Sequence, residues 1–356
     1  MKFISLDLTP WLRGPLTGVG LSALKSAEAL RDELYKSKEF DLHYLSRDLR
    51  GTLGPNGLGR LKYLNPIRRF RGHPDEIFHS FQLHLPQVKR SKKVLSLHDC
   101  WTLWPNEFQD SAFQSTQRKR LSSAIKRADR IVTPTKAVAE RLRDYDPSLA
   151  ERTSVVHWGS VLAPPEAKPS AKPILPDSLR EYLAKKRPFV LVVGSLEVRK
   201  NHGWILEAMT SLKGYDLVLA GKPGFGAEKI LNGVESLSRI ITVLNYRDLG
   251  EAALSALYDE AQVFVSASLD EGFGLPVLEA MTRHRPVLLS SIAAHKEIAG
   301  DAALYFEGPE QLRELLNSLR EDPSRIRLLE EQSRKRSLLF SWAKTAKELV
   351  AIYKGL

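Results

Sequence analysis

One segment near residue 270 constrains the fold more than any other. The apolar run 263–267 predicts a buried strand, the loop 270–274 contains two glycines, and a helix is predicted to begin near Leu275. The glycines let the backbone come close to a ligand, and the free N–H groups of the helix start favour an anion. Because Glu271 and Glu279 flank this anion site, the segment predicts a pocket for a phosphorylated sugar.

The amino-acid sequence of this segment also resembles a known motif. EGFGLPVLEAM, residues 271–281, is similar to the E-x7-E motif of the retaining GT-B glycosyltransferases, the glycosyl transferases group 1 family. Other motifs of the family follow in the right order, and the resemblance covers most of the chain, least well over 46–75 and 160–180. It implies two Rossmann-like α/β domains that face each other across a cleft. The alternation of short apolar strands, loops and amphipathic helices favours an α/β fold independently.

The N-terminal half contains two candidate ligand-binding segments. Residues 3–8 predict a strand, and a loop with Gly18 and Gly20 is predicted to lead into a helix, which places backbone amides near a phosphate. TGVG resembles the glycine-rich loop of the family, which implies a place across the cleft from the donor diphosphate. The strand VLSLHD ends in His98, at the edge where open α/β sheets bind ligands. The resemblance implies that His98 orients the sugar or acceptor, or transfers a proton.

The C-terminal half carries the predicted donor site. VGSLEVRKN resembles a family segment and implies that Arg199 and Lys200 reach the donor diphosphate and neutralise the charge of the leaving group. Glu271 is expected to bind hydroxyls of the donor sugar and to face the positive charge that forms at the anomeric carbon. Glu279 is expected to hold the ribose hydroxyls. The other implied donor-binding residues lie in loops after predicted strands: Gly221, Lys222, Asn245, Tyr246, Gly272, Phe273, Gly274 and Leu275.

The resemblance implies a reaction and its requirements. In this reaction a sugar moves from a GDP- or UDP-linked donor to an acceptor hydroxyl with retention at the anomeric carbon. Resemblance to the family alone suggests that the sugar is mannose. Arg199 and Lys200 already supply positive charge, so we expect no essential metal and no cofactor besides the co-substrate. A nucleotide-sugar epimerase or phosphorylase on the same fold, or a non-catalytic sugar- or membrane-binding module, remains an alternative.

The domain boundaries follow from length and composition. A chain of 356 residues predicts two domains, and the proline-rich run 162–176 predicts the linker between them. We therefore place an acceptor-binding domain at 1–165 and a donor-binding domain at 166–340. FSWAKTAKEL resembles the closing helix of the family, which implies that residues 341–356 pack back on the first domain.

Positive charge is concentrated in the first half of the chain. Residues 1–160 contain 27 Lys+Arg against 17 Asp+Glu, whereas the remainder contains 26 against 25. This excess predicts an anionic partner. Basic and apolar residues interleave over 58–72, which suits an anionic membrane surface or an anionic acceptor, and a solvated loop explains the pattern equally well. We expect an anionic glycan or lipid-linked acceptor, as in lipopolysaccharide or other cell-surface polysaccharide synthesis, and no nucleic acid, since no recognition motif is present.

The sequence also predicts where the protein resides. No apolar run approaches the roughly 20 residues of a membrane-spanning helix, and the first residues lack a signal-peptide pattern. The single cysteine, Cys100, excludes a disulfide framework. We therefore expect a cytoplasmic protein, with peripheral contact to the inner face of the membrane as a second expectation.

Overall fold

The computed structural model describes residues 2–13, 17–47, 58, 62–63, 72–86, 90–166, 175, 177–235, 240–243 and 250–356. Within this part the chain forms two compact units. The N-terminal unit comprises Met1–Asn106, Asp110–Gly159 and Phe340–Leu356, and the C-terminal unit comprises Glu107–Gln109 and Ser160–Leu339. The chain passes from the first unit to the second at Gly159, six residues before the boundary predicted from sequence.

The described part of the N-terminal unit is built on a seven-stranded parallel sheet in the order β3-β2-β1-β4-β5-β6-β7. The strands are β1 (Phe3–Asp7), β2 (Asp41–Ser46), β3 (Lys62–Tyr63), β4 (Glu76–Ser80), β5 (Lys92–Ser96), β6 (Arg130–Thr133) and β7 (Thr153–Val155). Four helices connect them: α1 (Thr9–Arg13), α2 (Gly18–Ser37), α3 (Ser111–Arg127) and α4 (Lys136–Tyr145). The strand–helix alternation confirms the predicted α/β class.

The start of α2 corrects one expectation. Gly18 and Gly20 lie in the first turn of the helix and not in a loop before it. The reason is local, because the side chain of Thr17 caps the helix and accepts a hydrogen bond from the backbone N–H of Gly20 at 3.0 Å. A hydroxyl at this position begins the helix earlier than the glycines suggest.

The C-terminal unit contains, among its described residues, a second parallel sheet with the order β10-β9-β8-β11-β12-β13. Its strands are β8 (Phe189–Val193), β9 (Asp216–Ala220), β10 (Ile240–Val243), β11 (Val263–Ser266), β12 (Val287–Ser290) and β13 (Ala303–Phe306). All residues of β8 and β9 are buried, which explains their continuous apolar sequences, since parallel strands covered on both faces do not alternate.

The helices of the C-terminal unit cover this sheet. They are α5 (Asp177–Ala184), α6 (His202–Ser211), α7 (Ala227–Glu235), α8 (Gly250–Glu260), α9 (Leu275–Thr282), α10 (Ala293–Ala299), α11 (Pro309–Glu321) and α12 (Pro323–Ser337). The helix α9 begins at Leu275, where the sequence predicts it, directly after the strand β11 and its glycine loop.

The last helix, α13 (Trp342–Lys354), belongs to the N-terminal unit and packs against α2. Tyr353 of this helix is fully buried, and its hydroxyl lies 2.5 Å from Nδ1 of His79 on β4. Gly159 lies directly against the start of α13, where an added Cβ would come within 2.5 Å of the backbone nitrogen of Trp342. The closing helix is thus an integral part of the first core.

Candidate functional site

The candidate site of the C-terminal unit lies at the carboxyl ends of two neighbouring strands, β8 and β11. Carboxyl ends of parallel strands meet at one edge of a sheet, which is where open α/β sheets bind ligands. The loop after β8 carries Arg199 and Lys200, and the loop after β11 carries Glu271. The fold therefore brings together three predicted site residues that are 71 and 72 positions apart in sequence.

The Glu271 carboxylate is held by donors from both loops. The Lys200 ammonium and the Ser268 hydroxyl donate to its Oε1, the latter at 2.8 Å, and Nη1 of Arg199 donates to its Oε2 at 3.2 Å. The Glu271 side chain is only 10% exposed. Charge-assisted hydrogen bonds of this kind are stronger than neutral ones, so they fix the orientation of the carboxylate.

Arg199 ties the two loops together. Its Nη1 also donates to the backbone oxygen of Asp270 at 2.7 Å, and its Nη2 donates to Oε1 of Glu197 at 2.6 Å. The backbone oxygen of Arg199 in turn accepts from the N–H of Leu269 at 2.8 Å. These contacts make Arg199 a positioning residue for Glu271. Its place differs from that of Lys200, which lines the cavity described below.

Electrostatics keep this cluster charged. Burial raises the pKa of Glu271, but the positive charges of Lys200 and Arg199 outweigh that effect and hold the pKa well below its usual range. Burial lowers the pKa of Lys200, and the Glu271 carboxylate opposes that shift. Glu271 is therefore ionised at neutral pH and suits a role as negative charge and hydrogen-bond acceptor, not as a proton donor.

A small cavity adjoins the cluster. Its lining consists of residues from the ends of β8 and β11, from the loops that follow them, and from the starts of α6 and α9: Val192, Val193, Gly194, Lys200, His202, Ser266, Ala267, Ser268, Glu271, Gly274, Pro276 and Val277. Gly274 has a φ of 93°, a conformation that favours glycine, and it lets the chain turn from the loop into α9. The cavity thus joins the cationic loop to a helix start, as expected of a phosphate site.

Two histidines near this cavity were missed by the sequence analysis. His295 is fully buried, and its Nδ1 donates to the backbone oxygen of Ser290 at 2.9 Å. Its Nε2 is therefore the acceptor nitrogen, and it faces the Ser266 hydroxyl at 3.4 Å. His202 lines the cavity, and burial, with a smaller effect of the Lys200 charge, lowers its pKa to about 4. Only their positions in the segments that follow β8 and β12 could have pointed to them.

Glu279 occupies a different environment from Glu271. It lies on α9, is only 5% exposed, and its Oε2 accepts a hydrogen bond from the Tyr258 hydroxyl at 2.9 Å. The described residues that line the cavity do not include Glu279. The two glutamates of the predicted motif are thus anchored separately, one by cations and the other by a tyrosine.

The glycine after β9 has a packing role. An added Cβ on Gly221 would lie 1.7 Å from the backbone oxygen of Gly194, so only glycine lets the ends of β8 and β9 approach this closely. Lys222 is exposed, and its backbone oxygen accepts from the N–H of Leu196 at 2.9 Å. Phe273 is buried next to the helix start, whereas Gly272 is partly exposed. Asn245 and Tyr246 lie outside the described residues, as does most of the basic segment 58–72.

His98 lies in the N-terminal unit, at the end of β5. Its Nε2 donates to the backbone oxygen of Phe81 at 2.6 Å, so its Nδ1 is the acceptor nitrogen, and this atom is buried without a partner among the described residues. The Trp158 ring lies 5.1 Å from the His98 ring. Burial lowers the pKa of His98 to about 4. A neutral imidazole of this kind can accept a hydrogen bond from a ligand hydroxyl, but it is a weak general base at neutral pH.

Within the described ranges, no group of three or more His, Cys, Asp or Glu side chains could hold a metal ion. In the same part of the chain, no helix is both long and apolar enough to cross a membrane.

Comparison with known proteins relates both halves of the chain to glycosyltransferases. The model described as "Glycosyl transferases group 1" matches residues 187–322, which contain Arg199, Lys200, Glu271 and Glu279. The model described as "Glycosyltransferase Family 4" matches residues 28–163.

Among curated proteins, the chain is similar to bacterial mannosyltransferases. The serotype-specific mannosyltransferase WbdA of Escherichia coli is 29% identical over 227 residues, covering 60% of this chain. The match spans only 27% of the length of WbdA. The O-antigen chain mannosyltransferase B of Escherichia coli is 27% identical over 312 residues, covering 83% of this chain and 79% of that protein.

Solved structures confirm the fold. A sucrose-phosphate synthase from Thermosynechococcus elongatus aligns with a TM-score of 0.76 at 18% identity, covering 100% of this chain and 99% of that one. Anabaena HepE in complex with UDP-glucose aligns with a TM-score of 0.70 at 16% identity, covering both chains fully. At these identities the likeness concerns the fold, which is the predicted pair of Rossmann-like domains. Residues 187–322 match the glycosyl transferases group 1 model and residues 28–163 match the Glycosyltransferase Family 4 model, so with this fold the chain is a GT-B glycosyltransferase.

Proposed function

We propose that the protein transfers a sugar from a nucleotide diphosphate sugar to an acceptor hydroxyl in the synthesis of lipopolysaccharide or another cell-surface polysaccharide. The observation that carries this proposal is the cluster of Lys200, Arg199 and ionised Glu271 beside a helix start. The printed names of WbdA and the O-antigen chain mannosyltransferase B favour mannose as the sugar and a bacterial surface polysaccharide as the product. The UDP-glucose complex of HepE supports a nucleotide-linked donor.

The cluster suits the departure of a diphosphate. As the bond between the anomeric carbon and the donor phosphate oxygen breaks, negative charge grows on the phosphate, and a cation placed there lowers the barrier. We assign this cation to Lys200, which lines the cavity and exchanges its contact with Glu271 for the phosphate. Arg199 stays on Glu197 and Asp270 and holds Glu271 in place.

The same cluster suits the donor sugar. Once Lys200 has turned to the phosphate, the ionised Glu271 accepts hydrogen bonds from sugar hydroxyls and stabilises positive charge at the anomeric carbon. The acceptor oxygen then bonds to that carbon with retention, and its proton passes to the departing phosphate oxygen. The Lys200 charge replaces a metal ion in this scheme. Glu279, oriented by Tyr258, is assigned to the ribose hydroxyls, and His98 to an acceptor hydroxyl.

A nucleotide-sugar screen tests the proposal. The wild-type protein is heated with GDP- and UDP-linked sugars, because a ligand that binds the folded state raises the melting temperature. The stabilising donor is then used in a transfer assay with Lys200→Ala and with Lys296→Ala, an exposed lysine of the same unit, as the matched control. Lys200→Ala is expected to lower transfer by about 100-fold or more, as loss of one transition-state charge contact does.

The same assay separates the alternative functions. Lys296→Ala is expected to match the wild type. Equal transfer by Lys200→Ala and the wild type would refute the site assignment. Product formation that depends on inorganic phosphate would indicate a phosphorylase, interconversion of the donor sugar an epimerase, and donor binding without turnover a binding module.

A further inference from the structure

A second pocket lies in the N-terminal unit at the carboxyl edge of its sheet. Its volume is about 730 Å³. Its wall includes Arg13 at the end of α1, Arg47 directly after β2, and residues 82–84 after β4. The strands β2, β1 and β4 are parallel neighbours, so their carboxyl ends share one edge, the edge at which open α/β sheets bind ligands. One side of the helix α3 completes the wall.

The described lining of this pocket is strongly basic. It contains five Lys and Arg side chains and no carboxylate: Arg13, Arg47, Lys119, Arg120 and Arg127. Arg47 is partly neutralised by the buried Asp7, with Nε and Oδ2 3.1 Å apart. Within the described part of the chain, the other four form no ion pair. Four uncompensated cations around one concavity repel one another, so an anion in the pocket would be stabilised.

Two polar groups of the wall also have unused donors. Nε of Arg127 and Nε2 of Gln82 are buried, and neither has a hydrogen-bond partner among the residues that the structure describes. Buried N–H groups in folded proteins nearly always have an acceptor. The missing acceptor, together with the missing counter-charge, indicates a pocket built for a ligand that supplies both.

We propose that this pocket binds a phosphate or diphosphate group of the acceptor; the identification of the ligand as the acceptor rests on the proposed function. Guanidinium groups match phosphate oxygens in bidentate geometry. Four unpaired cations favour a multiply charged phosphate over a sugar carboxylate, which carries a single charge. The volume is within the usual range of small-ligand sites, so a phosphorylated sugar fits.

Part of the excess of basic residues in the first half of the chain thus lies in this pocket. A diphosphate on a lipid carrier and a phosphate on a soluble sugar offer the same chemistry to the pocket. Because the pocket lies on another unit than Lys200 and Glu271, its anion affinity can be measured separately from the donor site.

The test measures pyrophosphate binding by calorimetric titration at low salt, with the full chain carrying Lys200→Ala to remove the donor-site cation. Adding Arg120→Gln and Arg127→Gln is expected to weaken binding at least tenfold. The matched control adds Lys126→Gln and Arg143→Gln, which remove the same charge from exposed positions outside the pocket, and is expected to stay within twofold. Unchanged affinity in the Arg120 and Arg127 variant, or equal weakening in the control, would overturn the proposal.

A second measurement identifies the source of the phosphate. The same variants are sedimented with phosphatidic acid vesicles, with phosphatidylcholine vesicles as the reference. If pyrophosphate binding depends on Arg120 and Arg127, weaker sedimentation of this variant indicates a lipid-borne phosphate, and unchanged sedimentation indicates a soluble one. If pyrophosphate binding does not depend on these residues, the proposal is overturned whatever the sedimentation shows.

Folding and function are checked independently. Circular dichroism and melting temperature verify that the Arg120 and Arg127 variant is folded, and Lys119→Gln, at an exposed position of the same wall, replaces it if it is not. Nucleotide-sugar binding with Lys200 intact tests the donor site. If no donor binds while pyrophosphate binding still depends on Arg120 and Arg127, the proposed function fails and the anion site stands. If donor transfer occurs and pyrophosphate binding does not depend on them, the anion site fails alone.

Discussion

Replacing Glu271 by glutamine tests two properties of the cluster of Lys200, Arg199 and Glu271: its contribution to stability and its affinity for an anion. The substitution keeps the shape of the side chain but removes the negative charge on which Lys200 and Arg199 converge. Two positive groups then remain close together in a mostly buried place, with exposed side-chain fractions of 15% for Lys200 and 17% for Arg199. We therefore expect the variant to be less stable without a ligand and to respond more strongly to an anion.

The size of the loss follows from the burial of the pair. Removing one partner of a buried ion pair costs about 3–5 kcal/mol, because the remaining charge is left uncompensated. Glutamine can still accept from Ser268, so we expect a value of about 3 kcal/mol, at the low end of that range. For a domain of this size, 1 kcal/mol shifts Tm by about 2–4 °C, so the transition of the C-terminal unit should fall by about 6–12 °C.

The assay is differential scanning calorimetry at pH 7 and low salt, with and without GDP or UDP. Glu331→Gln is the matched control, because Glu331 also bridges two cations, Arg334 and Lys335, but on an exposed helix surface. Exposed ion pairs contribute little, so this variant should unfold at the wild-type temperature. The nucleotide should stabilise Glu271→Gln more than the wild type, since its diphosphate replaces the lost charge.

Two results would contradict the reasoning. If Glu271→Gln unfolds at the same temperature as the wild type, the cluster does not hold the two loops together. If the nucleotide stabilises the variant less than the wild type, the diphosphate does not bind at these cations.

Two further predictions concern packing and pH. Gly221→Ala should prevent close packing of β8 and β9 and lower the free energy of unfolding by several kcal/mol, or abolish folding. The control is Gly203→Ala on α6, where an added Cβ would meet nothing within 4 Å. In urea unfolding this control should be neutral or stabilising by up to about 1 kcal/mol. Acidification should destabilise the protein between about pH 6.5 and 4. Burial lowers the pKa values of His98 and His202 to about 4, so both stay neutral in the folded state over this window. The same histidines take up protons in the unfolded chain, which favours unfolding. The expected slope is about 1.4 kcal/mol per pH unit for each histidine, and a flat profile over this window in urea unfolding would contradict it.

Local patterns predicted the parts of the site that lie on one segment. The strand, glycine loop and helix around Glu271 follow from apolar runs and from the conformational freedom of glycine. The proximity of Lys200 to Glu271, 71 positions away, was accessible only through resemblance to a family, because no local pattern encodes a contact between two loops. The contact arises because β8 and β11 are adjacent in the sheet, which is a property of topology.

The remaining features depend on tertiary structure in other ways. His295 and His202 carry no spacing signal, since one polar residue after a strand is common in this fold. Nor could sequence show that Arg199 binds Glu197, two positions earlier, because this pairing requires the 3-10 turn Val198–Lys200 to bring the two side chains together. The basic pocket of the N-terminal unit combines four separate segments, and in sequence it is visible only as an excess of charge.

The placement of α13 has a consequence for the order of folding during synthesis. The C-terminal unit draws nearly all of its residues from one continuous stretch, Ser160–Leu339, so its core can close as soon as that stretch has left the ribosome. The N-terminal unit starts earlier but needs Phe340–Leu356 to cover α2 and to supply Tyr353 to His79. The unit whose residues are made first is therefore the one completed last, and until then α2 exposes an apolar surface that a nascent-chain chaperone could protect.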